Sequence, residues 1–272
     1  MRRAPATAKL NLALIVGPRR ADERHEVATV LQRLDLADRV SVERAQRLRV
    51  DGFRQDTLVR GALERLADAA GVAPAWEARI WKRIPVVAGL GGGSSDAATA
   101  LRLANELLAE PLGDRELAAL GAELGTDVPF FLTSGPQLGA GTGAELSPLE
   151  LPQDYWVLLV LPTGVRKGST ADVYSAFDER GGDRGFEERR AELEQRLAEV
   201  RRPRDLADLP PNDLASSPVA DELRTLGSFR ADVSGAGPCV YGLFHHRQQA
   251  LAAERHLRRR GRTWVTAPTW YG

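Results

Sequence analysis

The chain is short of cysteine, of lysine and of net charge, and each shortage excludes something. One cysteine, Cys239, in 272 residues can form neither an internal disulfide nor a metal site of the CxxC kind. Its setting in the apolar run CVYGLF predicts a buried strand residue. Basic and acidic residues both number 37, so the balance demands neither a nucleic acid nor an acidic membrane surface, and any basic site must be local. No apolar stretch approaches the ~20 residues of a membrane span. LNLALIV is short for a signal sequence, carries Asn11 and follows Lys9 directly, which predicts a soluble cytoplasmic protein. Only three of the 37 basic residues are lysines, so Lys9 stands out against the chain's own habit of using arginine.

What the chain has in excess is glycine at one point. PVVAGLGGGSSDAA, from Pro85 to Ala98, holds four glycines in the five residues 89 to 93, and the helix-like ATALRLANELL follows. Glycine permits positive φ and leaves no Cβ between backbone and ligand, and the first amides of a helix have no intrahelical partner. Such a loop cradles phosphate with backbone N–H groups and the helix dipole. A plain strand-to-helix turn needs only one or two glycines. The Walker pattern fails for want of GK[ST], and GLGGGS gives GxGxxS instead of the dinucleotide GxGxxG.

Around this loop the pattern alternates strands and helices. AKLNLALIVG reads as a strand and LRVDG as the end of another. DTLVRGALERLADAAG reads as a helix with Asp56 as N-cap and Gly71 as its stop. WEARIWKRIP is a strand delivering the chain to the loop. DRELAALGAELG is a second helix, followed by the apolar VPFFL. Residues 135–152 are rich in Gly and Pro and place a domain boundary near their end. Beyond it, YWVLLVL, RADVS, CVYGLF and RTWVTA read as strands. Helical patterns fall at 170–177, 185–200, SPVADELRTLG and RQQALAAERHLRRRG. Mixed order of this kind predicts two α+β domains, 1–152 and 153–272.

The glycine motif resembles the second motif of the GHMP kinases. Its triple glycine resembles the branch that phosphorylates the 2-hydroxyl of 4-diphosphocytidyl-2-C-methyl-D-erythritol in non-mevalonate isoprenoid synthesis. AKLNL, GTDVPFF, NDL at 212–214 and SGAGPCVYGLF stand in that branch's order and approximate spacing. The resemblance implies an α+β, two-domain GHMP kinase fold, with an N-terminal ribosomal-protein-S5-like ATP-binding domain and a C-terminal ferredoxin-like domain. It implies ATP and Mg²⁺ as cofactors, a small cytidine-diphosphate-linked acceptor, no nucleic-acid or membrane partner, and a monomer or homodimer.

Residue by residue, the resemblance places Ala88, Gly89, Leu90, Gly91, Gly92, Gly93, Ser94 and Ser95 at the ATP phosphates. Ser94 and Ser95 either touch phosphate or Mg²⁺ or cap the helix, with Ser95 the metal candidate. Asp96 either caps the helix or faces magnesium. Asp127, which local hydrogen bonding in a turn would also explain, matches the aspartate that accepts the proton of the attacking hydroxyl. Lys9 matches the lysine that orients that hydroxyl, and a compact ammonium suits this better than a guanidinium. Asn11, two residues on and on the same strand face, helps to hold the acceptor. His25 matches the cytosine reader of the branch's D-G-Y-H-E, but the segment here is DERHE, with Glu23 and Arg24 for glycine and tyrosine. A guanidinium can stack on a base, or the head group differs. Tyr174 either gives the site an aromatic face or packs on the core. SGAGP either closes over the site or is an ordinary hairpin turn. His245 and His246 point to opposite faces of an extended chain, and RHLRRRGR reads as a solvated helix end. Two alternatives stand beside the leading reading: the same fold acting on another small alcohol, and a nucleotide-binding protein without kinase activity.

Overall fold

The structure, a computed structural model, describes residues 1–54, 56, 58–164 and 169–269. The first part of the chain forms β1 (Arg2–Arg19), β2 (His25–Arg44), β3 (Arg49–Asp51), α1 (Leu58–Ala69), β4 (Trp76–Trp81), α2 (Gly92–Asn105), α3 (Asp114–Leu124), α4 (Val128–Leu132), β5 (Gln137–Ala140) and β6 (Glu145–Pro148). The second forms β7 (Trp156–Pro162), α5 (Thr170–Glu179), α6 (Phe186–Glu199), α7 (Pro218–Thr225), β8 (Arg230–Val233), β9 (Val240–Phe244), α8 (Arg247–Leu257) and β10 (Gly261–Thr266). Among the described residues these make two sheets, one ordered β3-β4-β2-β5-β6 with β1 paired to β2, the other ordered β10-β7-β9-β8.

The antiparallel β1–β2 ladder is the spine. It pairs Arg2 with Val42 at one end and Arg19 with His25 at the other, and sets Lys9 opposite Arg33 and Asn11 opposite Leu31. Because side chains alternate along a strand, Leu10 and Leu12 point away from Lys9 and Asn11. They join a cluster with Tyr155, Leu159 and Tyr241 that locks the first sheet to the second. At ~25 cal/mol per Å² of apolar surface, each such leucine contributes roughly 2 kcal/mol. A second cluster packs α1 and α2 on the first sheet through Val40, Val42, Leu63, Leu66 and Leu101.

Local chemistry sets the helix ends. The Asp56 carboxylate accepts from the amides of Val59 and Arg60, both at 3.2 Å, as its N-cap reading predicts. Gly71 (φ 64°) ends that helix. Thr57, inside the expected helix, lies outside the described residues.

Three expectations need correction. Residues 25–44, which carried no strand expectation, form the 20-residue β2. The Gly/Pro-rich stretch is no plain linker: Gln137–Ala140 pairs with Glu145–Pro148 around Gly141 and Gly143, and joins β2 at Thr29–Leu31. The helix after the glycine loop starts at Gly92, inside the glycines, with Gly91 (φ 68°) as N-cap. Ser94, Ser95 and Asp96 therefore do not cap it.

Candidate active site

The glycine loop is held at entry and exit by one ammonium. Asp38, buried on β2, accepts from the amides of Arg83 and Ile84, the latter at 2.8 Å, and from Lys82 Nζ. Lys82 Nζ also meets Asp96 Oδ2 at 2.6 Å, so Asp96 faces an internal lysine. Burial, joined by the charge of Asp38 and opposed by that of Lys82, pushes the Asp96 carboxyl up to about 7. Lys82, also one of the three lysines, carried the same rarity signal that marked Lys9, and Asp38 carried none.

Within the loop the carbonyls are taken. Ala88 O accepts from Cys239 N (3.2 Å), Leu90 O from Lys9 N (3.0 Å), Gly91 O from Ser95 N (2.9 Å) and Gly89 O from Ser234 Oγ (3.0 Å). The Ala88 and Leu90 side chains are buried, as is Ser95. The amides of Gly92, Gly93 and Ser94 open α2, where no carbonyl stands four residues back within the helix. This is an anion cradle by construction. Glycine is required twice: at Gly89 (φ 80°) a Cβ would sit 2.3 Å from Ser234 O, and at Gly91 it would sit 2.9 Å from Lys9 Cγ. Val87, a β-branched residue at φ 58°, strains the backbone just before the loop.

Lys9 and Asp127 come from distant segments to one point. Lys9 Nζ lies 3.4 Å from Asp127 Oδ2, and the side chains are 6% and 38% exposed. VPFFL is the short α4, so Asp127 is its N-cap residue at the mouth of the site. Lys9 Nζ donates to Asn11 Oδ1 at 2.7 Å, and Asn11 Nδ2 donates to Thr29 Oγ1 at 2.8 Å. Asn11 thus aims the ammonium. SGAGP joins β8 to β9, the ordinary turn of the two alternatives, and Gly235 comes so close that a Cβ there would be 3.1 Å from Asn11 Oδ1. Asn212, in the NDL stretch, holds that turn by donating to Val233 O and Gly235 O.

The opposite wall carries His25. Its ring stacks on Tyr174 with centroids 4.7 Å apart, and its Nε2 lies 2.7 Å from Asp178 Oδ1. Tyr174 packs with Phe177 and Leu214 and also faces the site. Burial and then the nearby Asp127 charge push its hydroxyl up to about 12. Arg24 is exposed at the rim, and Glu23, where the resembled motif has glycine, adopts φ 66°. Asp178 and Thr29 had no signal in the sequence.

Two connected cavities run through this constellation. One of about 210 Å³ is lined by Lys9, Asn11, Gly89, Gly91, Asp127, Tyr174 and Gly235. One of about 530 Å³ is lined by Arg24, His25, Tyr174 and Asp178. They share Val27, Thr126, Thr142, Thr170 and Tyr174. Among the described residues no three His, Cys, Asp or Glu side chains group as for a metal ion. His245 instead stacks on Phe229 at 4.6 Å, and the basic run 258–260 pairs with Glu254 and Glu222. None of the described helices is long and apolar enough to cross a membrane.

Comparison with known proteins shows the family and the fold. The family profile "GHMP kinases N terminal domain" matches residues 57–135, and "GHMP kinases C terminal" matches residues 214–263. The chain is 40% identical over 268 residues to a 4-diphosphocytidyl-2-C-methyl-D-erythritol kinase of Anaeromyxobacter sp. (strain Fw109-5), covering 93% of this chain and 85% of that one. It is 40% identical over 274 residues to the enzyme so named in Nocardia farcinica (strain IFM 10152), covering 93% and 88%. The crystal structure of a 4-(cytidine 5'-diphospho)-2C-methyl-D-erythritol kinase superposes with TM-score 0.80 at 32% identity, over 98% of this chain and 99% of that one. A mevalonate kinase structure, 14% identical with TM-score 0.75 over 98% and 99%, shares the fold. With its glycine cradle, its paired lysine and aspartate and its relatives along nearly the whole length, the chain belongs to the GHMP kinase family.

Proposed function

We propose that the protein transfers the γ-phosphoryl group of ATP to the 2-hydroxyl of 4-diphosphocytidyl-2-C-methyl-D-erythritol. The observation that carries this is the 3.4 Å approach of Lys9 to Asp127 in a cavity bounded by the glycine loop on one side and His25 on the other. Asp127 accepts the hydroxyl proton. Lys9, aimed by Asn11, holds the hydroxyl and stabilises charge building on its oxygen. The amides of residues 92–94 hold the polyphosphate and steady its terminal oxygens as they gain charge. His25 and Tyr174 receive the cytosine, and Arg24 covers it by stacking where the relatives' branch uses tyrosine.

Mg²⁺, when bound, neutralises phosphate charge. The described residues offer it no carboxylate cage, and the donor set suits an ion arriving on the nucleotide and keeping phosphate and water oxygens. Ser95, the hydroxyl the resemblance offers to the metal, is buried and lines neither cavity, so it is not placed to join them. We place the domain division between residues 152 and 153, in the connection from β6 to β7.

Arg24 favours one competitor, a different alcohol as acceptor. Supplying ATP with a panel of small alcohols tests the proposal: turnover should be confined to the cytidine compound. Turnover of another alcohol, with none of that one, removes the assignment.

A further inference from the structure

Lys9 and Arg33 face one another across the β1–β2 ladder, so their side chains leave the same face of the sheet. Both reach α4, from opposite ends. Lys9 meets Asp127 at the N-cap. Arg33 donates Nη2 to the carbonyls of Phe130, at 2.5 Å, and Thr133, where the helix closes. Its guanidinium lies 4.8 and 5.5 Å from the ring centroids of Phe130 and Phe131, and Nη1 reaches Thr7 Oγ1 at 3.4 Å.

This arginine is 1% exposed, and among the described residues no carboxylate stands within ion-pair distance of it. Burial, with a lesser contribution from Arg102, pushes its pKa down to about 10. A buried cation without a counter-ion is costly, and packing alone would be served by methionine or leucine. What it gains is contact with the negative end of α4 and with two aromatic faces. The Phe130 carbonyl also accepts from the Thr133 hydroxyl at 2.8 Å, so the helix end does not depend on Arg33 for closure. What Arg33 adds is a fixed anchor to β2.

We propose that Arg33 is a positioning residue for the reaction. By clamping the C-terminal end of α4 to the strand beside Lys9, it fixes where the Asp127 carboxylate stands. The proposal rests on the reading of Asp127 as proton acceptor. A displacement of about 1 Å in such a group costs up to ~100-fold in rate.

The test is a double-mutant cycle of Arg33→Met and Asp127→Asn, assayed for kcat and for KM of ATP. Arg33→Met should lower kcat about tenfold or more with KM for ATP within about twofold, and should add nothing in the Asp127→Asn background. Arg33→Lys, which keeps one donor but not the fork, should fall between Arg33→Met and the parent, and it carries the test if Arg33→Met does not fold. An unchanged kcat in the folded Arg33 variant, or losses that multiply with that of Asp127→Asn, overturns the proposal. If Asp127→Asn alone matches the parent, the reading of Asp127 fails first. If Asp127→Asn is impaired and the Arg33 variant is not, the positioning claim alone fails.

Discussion

Ser234 donates its hydroxyl to the carbonyl oxygen of Gly89 at 3.0 Å, so the turn between β8 and β9 is latched to the glycine loop. Cys239 N adds a second bond one residue earlier, to Ala88 O. The glycine loop is therefore shaped by both sheets. Neither part of the chain can make the site alone.

The latch predicts the effect of Gly89→Ala. A methyl group there meets Ser234 O at 2.3 Å, and the backbone is at φ 80°. Backbone cannot yield as a side-chain tip does, and strain of this kind costs about 1–3 kcal/mol. KM for ATP should rise by roughly tenfold or more, measured by initial rates. Ser234→Ala, which loses one hydrogen bond of about 1 kcal/mol, should raise it only about fivefold.

Lys82 predicts a stability effect. Lys82→Met leaves Asp38 and Asp96 buried without their shared cation, and urea melts should show a loss of about 3 kcal/mol. Asp96→Asn tests the sign of the pH dependence. The Asp96 carboxyl titrates higher in the folded protein, near 7, than its usual 3.8. Its proton is held more tightly in the fold, so the associated stability is full below pH 3.8 and is lost as pH rises through about 7. The penalty of Asp96→Asn should therefore shrink between pH 5 and pH 8, by roughly 2–3 kcal/mol, about two pH units at ~1.4 kcal/mol each. A penalty that grows over that range contradicts the account.

Glu23 predicts a gain. It sits at φ 66°, and its ion pair with Arg19 is solvent-exposed and worth little. Glu23→Gly relieves the left-handed strain, which outweighs the added freedom of the unfolded chain. Calorimetry should show a rise of up to about 1 kcal/mol, or about 2 °C in Tm. A fall in Tm would mean that the Arg19 pair matters more than the backbone.

The glycine loop and Lys9 stood out because each broke a local expectation, too many glycines for a turn and a lysine in an arginine-rich chain, whereas Asp127, which a turn explains locally, stood out only through the family resemblance. Their mutual distance was not legible, because it depends on how α4 packs on α2, α3 and Leu31 of β2. VPFFL shows no periodicity in five residues, and its proline is tolerated only because it opens the helix. The β2 strand escaped notice for a different reason. VATVLQRLDLADRV mixes Ala, Leu, Gln and Arg, which suit helices, and it is buried on both faces, so the alternation that marks a half-buried strand is missing. With β2 unread, the roles of Thr29, Arg33 and Asp38 had no frame in which to appear. The β5–β6 hairpin was hidden by the glycines that build its turn.

In the proposed reaction Asp127, paired with Lys9, takes the proton from the acceptor hydroxyl. The most direct measurement compares Asp127→Asn with the parent under saturating ATP and cytidine substrate. The account predicts a fall in kcat of at least about a hundredfold with KM for ATP within about threefold. Equal rates would contradict it.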